Sequence, residues 1–390
     1  MKNNKFLIIL LLLVFTVFSG LNVNAQESDL DLLTESIKNY HQNNFQEALD
    51  LNNEINLENL NTRAQIDTLY YRTLIQLGLG NISKGREQLQ ELNDMGYDFG
   101  MIHYELGRIY LNTYNNFDNA FYQTALEQFK EARSLGINSP DFHRDYARAY
   151  IGVNNKQQAV QELEKALSKN ATLNDYLNIA NLHKELNNLE KAREFYRKAL
   201  EIDAQNSNAY SELGDVLIRQ ENYQEAVKVL NRGVESNPDS LILNYKLGLA
   251  YYYNENYEEA ENYLLKVVDL KQNYYRAHFH LGKLYQAQEK FQNAKYHLNE
   301  TVKYNPNYAE AYITLGDINL KQENNYQAIA QYSIAIEKNP NYPEGHFHLA
   351  LAYYQSGMKE AAISELRKTL HLSENHERAR KLLDQLQEEE

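Results

Sequence analysis

Small and large apolar residues alternate along this chain on a fixed ruler. Ala125, Ala159, Ala192, Ala226, Ala260, Ala294, Ala328 and Ala362 stand 34 residues apart, with a single interval of 33. Four residues after each comes a large side chain: Phe129, Leu163, Tyr196, Leu230, Leu264, Leu298, Tyr332 and Leu366. A second small-residue series, Ala147, Ala180, Gly214, Gly248, Gly282, Gly316 and Ala350, keeps the same period. Apolar residues at i, i+3, i+4 and i+7 around both series predict two amphipathic helices per period. The small residues let the two helices approach closely. Pro238, Pro306 and Pro340 sit twelve residues beyond the alanines, where proline ends a helix and opens the next turn.

The period is clearest in "AEAYITLGDINLKQENNYQAIAQYSIAIEKNPN", with Tyr312, Leu315, Gly316, Ala328, Tyr332, Ala335 and Pro340. On these residues the chain resembles the tetratricopeptide repeat family, whose unit of 34 residues is a helix, a turn and a second helix. The resemblance implies an all-α, right-handed superhelical solenoid of antiparallel helix-turn-helix repeats, about ten units plus a C-terminal capping helix. Seven regular units are expected over 140–376. Residues 100–139 form a further repeat with an extended turn at 112–124, within "NTYNNFDNAFYQT". Residues 26–99, with "NNFQEAL" and "LGLGNISKGREQL", give degenerate N-terminal repeats, and 377–390 gives the capping helix. Tryptophan is absent, and Tyr, Phe or His takes its usual place between the helices, so most of the 32 tyrosines are assigned to packing.

The first 25 residues break the rhythm. Two lysines, an apolar run from Phe6 to Phe18 and the short polar stretch Val23-Asn24-Ala25 have the layout of a signal peptide cut after Ala25. The run is shorter than the roughly 20 residues that a spanning helix wants, and no second hydrophobic segment follows. No integral membrane segment is expected after cleavage, and the chain is expected to be exported: periplasmic, outer-membrane-associated or secreted. The net charge of −14 becomes −16 once Lys2 and Lys5 are removed, which argues against a nucleic-acid partner. With no cysteine there is no disulfide, thiolate nucleophile or cysteine metal site.

Two near-identical words, "HFHLG" at 278–282 and "HFHLA" at 346–350, raise the question of a metal. Their phase answers it. Residues two apart on a helix point about 200° apart, so His278 and His346 should face the second helix of their own pairs, and His280 and His348 the edge of the inner wall. One whole repeat separates the copies, about 20 Å, too far for one zinc ion with bonds of about 2 Å. No metal and no cofactor are expected. Nor does any H-E-x-x-H, phosphate-binding glycine loop or Gly-x-Ser-x-Gly elbow appear, and no enzyme is expected.

In the family that the chain resembles, positions 2, 5, 9, 12 and 13 of the first helix usually contact a ligand. By phase that implies a partner-binding groove of Tyr245, Leu249, Tyr252, Tyr253, Phe279, Lys283, Ile313, Leu320, Phe347, Leu351 and Tyr354. Leu249, Leu351 and Tyr253 depart toward apolarity, the mark of a contact surface. Upstream, Arg108, Arg144 and Arg148, beside Tyr104, suggest an anion contact. No three consecutive units carry the family's carboxylate-clamping set. The expected function is a non-enzymatic protein–protein interaction scaffold of the bacterial cell envelope that holds a partner's protein or peptide segment in the groove. The alternative is a glycan-binding or polysaccharide-export component, with envelope polysaccharide as the partner.

Overall fold

The computed structural model describes residues 23–113 and 119–388. The expected signal segment, up to residue 22, and residues 114–118 of the extended turn lie outside the described residues. Among the described residues there are α-helices, one 3₁₀ turn at Leu57–Asn59 and no strand. None of these helices is long and apolar enough to cross a membrane.

The chain divides into two compact units, residues 1–179 and 180–390. The first contains α1 (Val23–His41), α2 (Phe45–Glu54), α3 (Thr62–Gly78), α4 (Ile82–Asp94), α5 (Gly100–Thr113), α6 (Asn119–Ser134), α7 (Pro140–Gly152) and α8 (Lys156–Lys169). Helix α9 (Leu173–Glu185) runs through the dividing point. The second unit continues with α10 (Leu189–Ile202), α11 (Ser207–Arg219), α12 (Tyr223–Ser236), α13 (Leu241–Tyr253), α14 (Tyr257–Leu270) and α15 (Tyr275–Ala287). It ends with α16 (Phe291–Tyr304), α17 (Ala309–Lys321), α18 (Asn325–Lys338), α19 (Pro343–Gln355), α20 (Lys359–Leu372) and α21 (Glu377–Glu388).

The alanine ruler is the axis of packing. All eight alanines are fully buried, and the large residue four positions on is buried in every case. Where the small residue of the first helix is glycine, the large residue lies against it. A Cβ built on Gly316 would stand 2.4 Å from the Tyr332 ring, and one on Gly214 2.4 Å from Leu230. Glycine is required there by close approach, with the backbone in ordinary helical geometry. Helix starts are fixed by side-chain caps at Asn61, Ser139, Asn155, Asn206, Ser240 and Asn256. Between the helices of a pair the chain turns through one left-handed residue: Asn43, Asn154 and Asn187, then Glu221, Glu255, Glu289 and Glu323.

Within each unit the first helices of successive pairs touch one another, as α11 does α13 and α13 does α15, more closely than the second helices do. The first helices therefore line the tighter, inner side. At the C-terminal end α21 closes the stack by burying Ala379 and Leu386 against Phe347, Ala350 and Leu366.

Candidate functional site

The inner face of the second unit is built from α13, α15, α17 and α19. Position 5 of each first helix carries Tyr245, Phe279, Ile313 or Phe347, and the structure covers all four from the same direction. The residue just before the next first helix folds over it: Tyr274 over Tyr245 at 5.2 Å between ring centres, Tyr308 over Phe279 at 4.9 Å and His376 over Phe347 at 4.8 Å. Tyr342 packs in the same cluster as Ile313. Phe279, Ile313 and Phe347 are consequently buried, which corrects their assignment as groove wall. They hold one repeat to the next. The sequence reading counted helix positions and left out the covering loop residue, which recurs 29 positions on.

What remains open to solvent is narrower. Tyr253 is 42 % exposed and stacks face to face on Tyr223 at 5.5 Å. Leu249, Tyr252, Leu320, Leu351 and Tyr354 are half-buried, and Lys283 lies 5.9 Å above the Phe279 ring. Ile242 and Arg276, at position 2 of α13 and α15, are exposed on the same side and were missed by sequence reasoning. Their only signal was the position itself. Burial pushes the Tyr245 and Tyr252 hydroxyls upward, so these two phenols stay un-ionised.

The arginines of the first unit do not form an open basic cluster. Arg108 pairs with Glu105 at 2.9 Å and Asp145 at 3.5 Å, and Arg148 pairs with Asp145 at 3.1 Å. Arg144 bridges Asp141 and the buried Asp175 and donates to the Asn170 carbonyl. Burial alone would raise the Asp175 carboxyl, but the Arg144 guanidinium and the Thr172 donors prevail and hold it below its usual value. The expected anion contact is therefore corrected to an internal network. Each arginine has a carboxylate three residues upstream on its own helix, and Arg108 and Arg144 take a second, Asp145 and Asp175, from the next repeat, which the sequence does not show.

The histidines serve packing, through a clamp that recurs. At position 4 the side chain reaches the carbonyl six residues upstream: Tyr210 to Ala204, Asn244 to Pro238, His278 to Gln272, Tyr312 to Pro306 and His346 to Pro340. Histidine also reaches its own second helix. His143 meets Glu162 at 2.8 Å, His346 meets Glu365 at 2.6 Å, and His278 meets His297 at 3.0 Å between Nδ1 atoms. Since Nε2–H of His278 donates to a carbonyl, its Nδ1 must accept from His297 when both rings are neutral. His348 bonds Asp317 at 2.8 Å, and His280 lies half-buried between Tyr245 and Tyr252 with its Nδ1 unpaired. No group of three metal-ligating side chains forms among the described residues.

Family models for the tetratricopeptide repeat match residues 144–209 and 245–294, 183–247, 316–357 and 343–386. The chain belongs to the tetratricopeptide repeat family. No curated protein matches it by sequence. Among solved structures it is similar to a tetratricopeptide repeat protein from Parabacteroides merdae, at 17 % identity over 64 % of this chain and 98 % of that one, with a TM-score of 0.55. Yeast Tom70 is similar at 15 % identity over 93 % of this chain and 89 % of that one, with a TM-score of 0.50. So is the APC/C hetero-tetramer Cut9–Hcn1, at 14 % identity, 93 % and 84 % coverage and a TM-score of 0.50. At these identities the likeness is of fold: an all-helical tetratricopeptide repeat solenoid, the architecture of a protein–protein interaction scaffold.

Proposed function

We propose that this repeat protein is a non-enzymatic scaffold of the bacterial cell envelope that holds a segment of a partner protein against the inner face of its second unit. The observation that carries the reading is the apolar strip left uncovered there, with Ile242 54 % and Tyr253 42 % exposed beside half-buried Leu249, Tyr252, Leu351 and Tyr354. Such a strip on a rigid wall gains by being covered, and an extended or helical segment fits it. Export rests on the layout of residues 1–25.

Two measurements test this. Changing Tyr252 and Tyr253 to Ala should weaken capture of the partner about tenfold or more while circular dichroism stays that of the parent, since neither ring is fully buried. Unchanged capture would remove the strip from the site. Cell fractionation with cross-linking in intact cells should place the protein and its captured partner in the envelope, and recovery from the cytoplasm would overturn that part. Envelope polysaccharide in place of a protein partner would move the reading to the glycan-binding alternative.

A further inference from the structure

Three turns of the second unit set a carboxylate two residues before a ring that begins the second helix: Glu221 before Tyr223 of α12, Glu255 before Tyr257 of α14 and Glu289 before Phe291 of α16. Over Phe291 lies Lys321, the last residue of α17, with its ammonium 5.7 Å from the ring centre and 2.6 Å from the Glu289 carboxylate. Over Tyr223 lies Tyr253, the last residue of α13, stacked at 5.5 Å. At the middle turn the same register brings Ala287, the last residue of α15, whose methyl is too short to meet the carboxylate and the ring as Lys321 does. The fold thus holds a lysine between a carboxylate and a ring at one turn, and leaves the preceding copy without one.

The two copies are built alike. Glu255 and Glu289 take φ of 61° and 58°, and Tyr257 and Phe291 are each half-buried as the first residue of their helix. An ammonium between such groups is attracted by the carboxylate and by the negative face of the ring. Charge separates the copies in the direction that favours the open one. Residues 289–293, Glu-Lys-Phe-Gln-Asn, carry one carboxylate and one cation, whereas residues 255–259, Glu-Asn-Tyr-Glu-Glu, carry three carboxylates and no cation. Glu255, Glu258 and Glu259 make no ion pair among the described residues. Lys283, one turn before Ala287 on α15, rests over the Phe279 ring instead.

We propose that Glu255 and Tyr257 receive a lysine side chain of the partner protein, which fills at this turn the place that Lys321 fills at the next. This rests on the groove reading above and adds a charge to it. Tyr252, half-buried in the apolar strip, meets Tyr257 at 6.0 Å between ring centres, so a segment lying on Leu249 and Tyr252 has the turn at its edge. A lysine carried by a protein segment is favoured over a free polyamine because Glu255 and Ala287 are exposed. One ammonium held there in water gains little, and it stays only when the chain that bears it makes further contacts alongside.

The test is selection from a random twelve-residue peptide library on the purified protein, followed by titration of the selected peptides and of counterparts with Nε-acetyl-lysine in place of lysine. Spermidine is titrated in parallel as the free polyamine. Enrichment of lysine near Leu, Ile or an aromatic residue is expected. Acetylated counterparts should bind about fivefold more weakly, as should the parent peptides to E255Q. Ala287→Lys should supply the missing lysine from within and weaken the same peptides by about the same factor, whereas Asn299→Lys, which adds equal charge at an exposed site of α16, should leave them unaltered. All three substituted positions are exposed, so circular dichroism and melting temperature should stay those of the parent. Selected peptides without lysine, weakened by Leu249→Ala but not by E255Q, would overturn the lysine site and leave the groove standing. Lysine peptides that respond equally to Ala287→Lys and Asn299→Lys would overturn the site too, since attraction to the net charge would then account for them. Spermidine binding that E255Q abolishes, with no peptide enriched, would overturn the protein partner at this turn. No binding of either kind would overturn both the site and the groove.

Discussion

Helices α5 and α7 of the first unit and α15 of the second use their cations in opposite ways. On α5 and α7, Arg108, Arg144 and Arg148 are each held by one or two carboxylates. In α15 of the second unit, Arg276 and Lys283 are surrounded by phenol and phenyl rings and hold none. The charge that a surface offers to a partner is what its own fold leaves unneutralised. Position on a repeat ruler gives the place of a side chain and says nothing of that remainder.

The largest way to sharpen this contrast is to remove one cation from each unit. Arg144→Ala leaves Asp175, whose side chain is 2 % exposed, with only its Thr172 donors. A loss of about 3 kcal/mol in urea unfolding is expected, at the lower end of the range for breaking a buried pair because Arg144 is partly exposed. The Asp175 carboxyl is held below its unfolded value, so its contribution is present above the unfolded pKa and is lost as pH falls through the folded one. The acid loss of stability should therefore be shallower in Arg144→Ala than in the parent. Arg276→Gln should change stability by less than about 0.5 kcal/mol, as exposed sites without partners do. Equal losses from the two substitutions would erase the distinction between these helices.

A smaller effect separates the histidine clamps. In α19–α20 the second helix answers His346 with Glu365; in α15–α16 it answers His278 with a second imidazole. Burial lowers the His278 imidazole, and burial with His278 beside it pushes His297 down to about 4. Both folded values lie below the unfolded value of about 6.5, so this clamp supports the fold fully above that pH and loses its support as pH falls toward 4, by on the order of 2 kcal/mol. His297→Glu would copy the His346–Glu365 arrangement, and stability between pH 6.5 and 4 should fall less than in the parent. An unaltered pH slope would mean that the His278–His297 contact does not respond to acid.

Much of the fold could be read from the eight alanines, because a residue wedged between two helices tolerates no side chain longer than a methyl. That constraint is local and periodic, and all eight are buried as the spacing requires. The exposure of the expected groove residues was only half readable. Leu249, Tyr253, Leu351 and Tyr354 keep solvent exposure, but Phe279, Ile313 and Phe347 are closed over by Tyr308, Tyr342 and His376. Those covers sit in the loops between repeats, where helical periodicity carries no information about which side a ring falls on. The arginine network was hidden for a similar reason: Arg144 and Asp175 are 31 residues apart, and their pairing is set by how one repeat stacks on the next.

The smallest prediction concerns carboxylates that the second unit spends away from its inner face. Glu289 occupies the left-handed turn between α15 and α16 at φ 58°, a conformation that costs an ordinary L-residue about 1 kcal/mol and that asparagine bears more easily. The first unit places asparagine at the same turn position, at Asn43 and Asn154. Glu289 does have a partner, Lys321 at 2.6 Å, yet both side chains are more than half exposed, and such pairs contribute little. Relief of the turn should outweigh loss of the pair, so Glu289→Asn is expected to raise the urea midpoint slightly. A destabilised variant would show the Lys321 pair to be the stronger term.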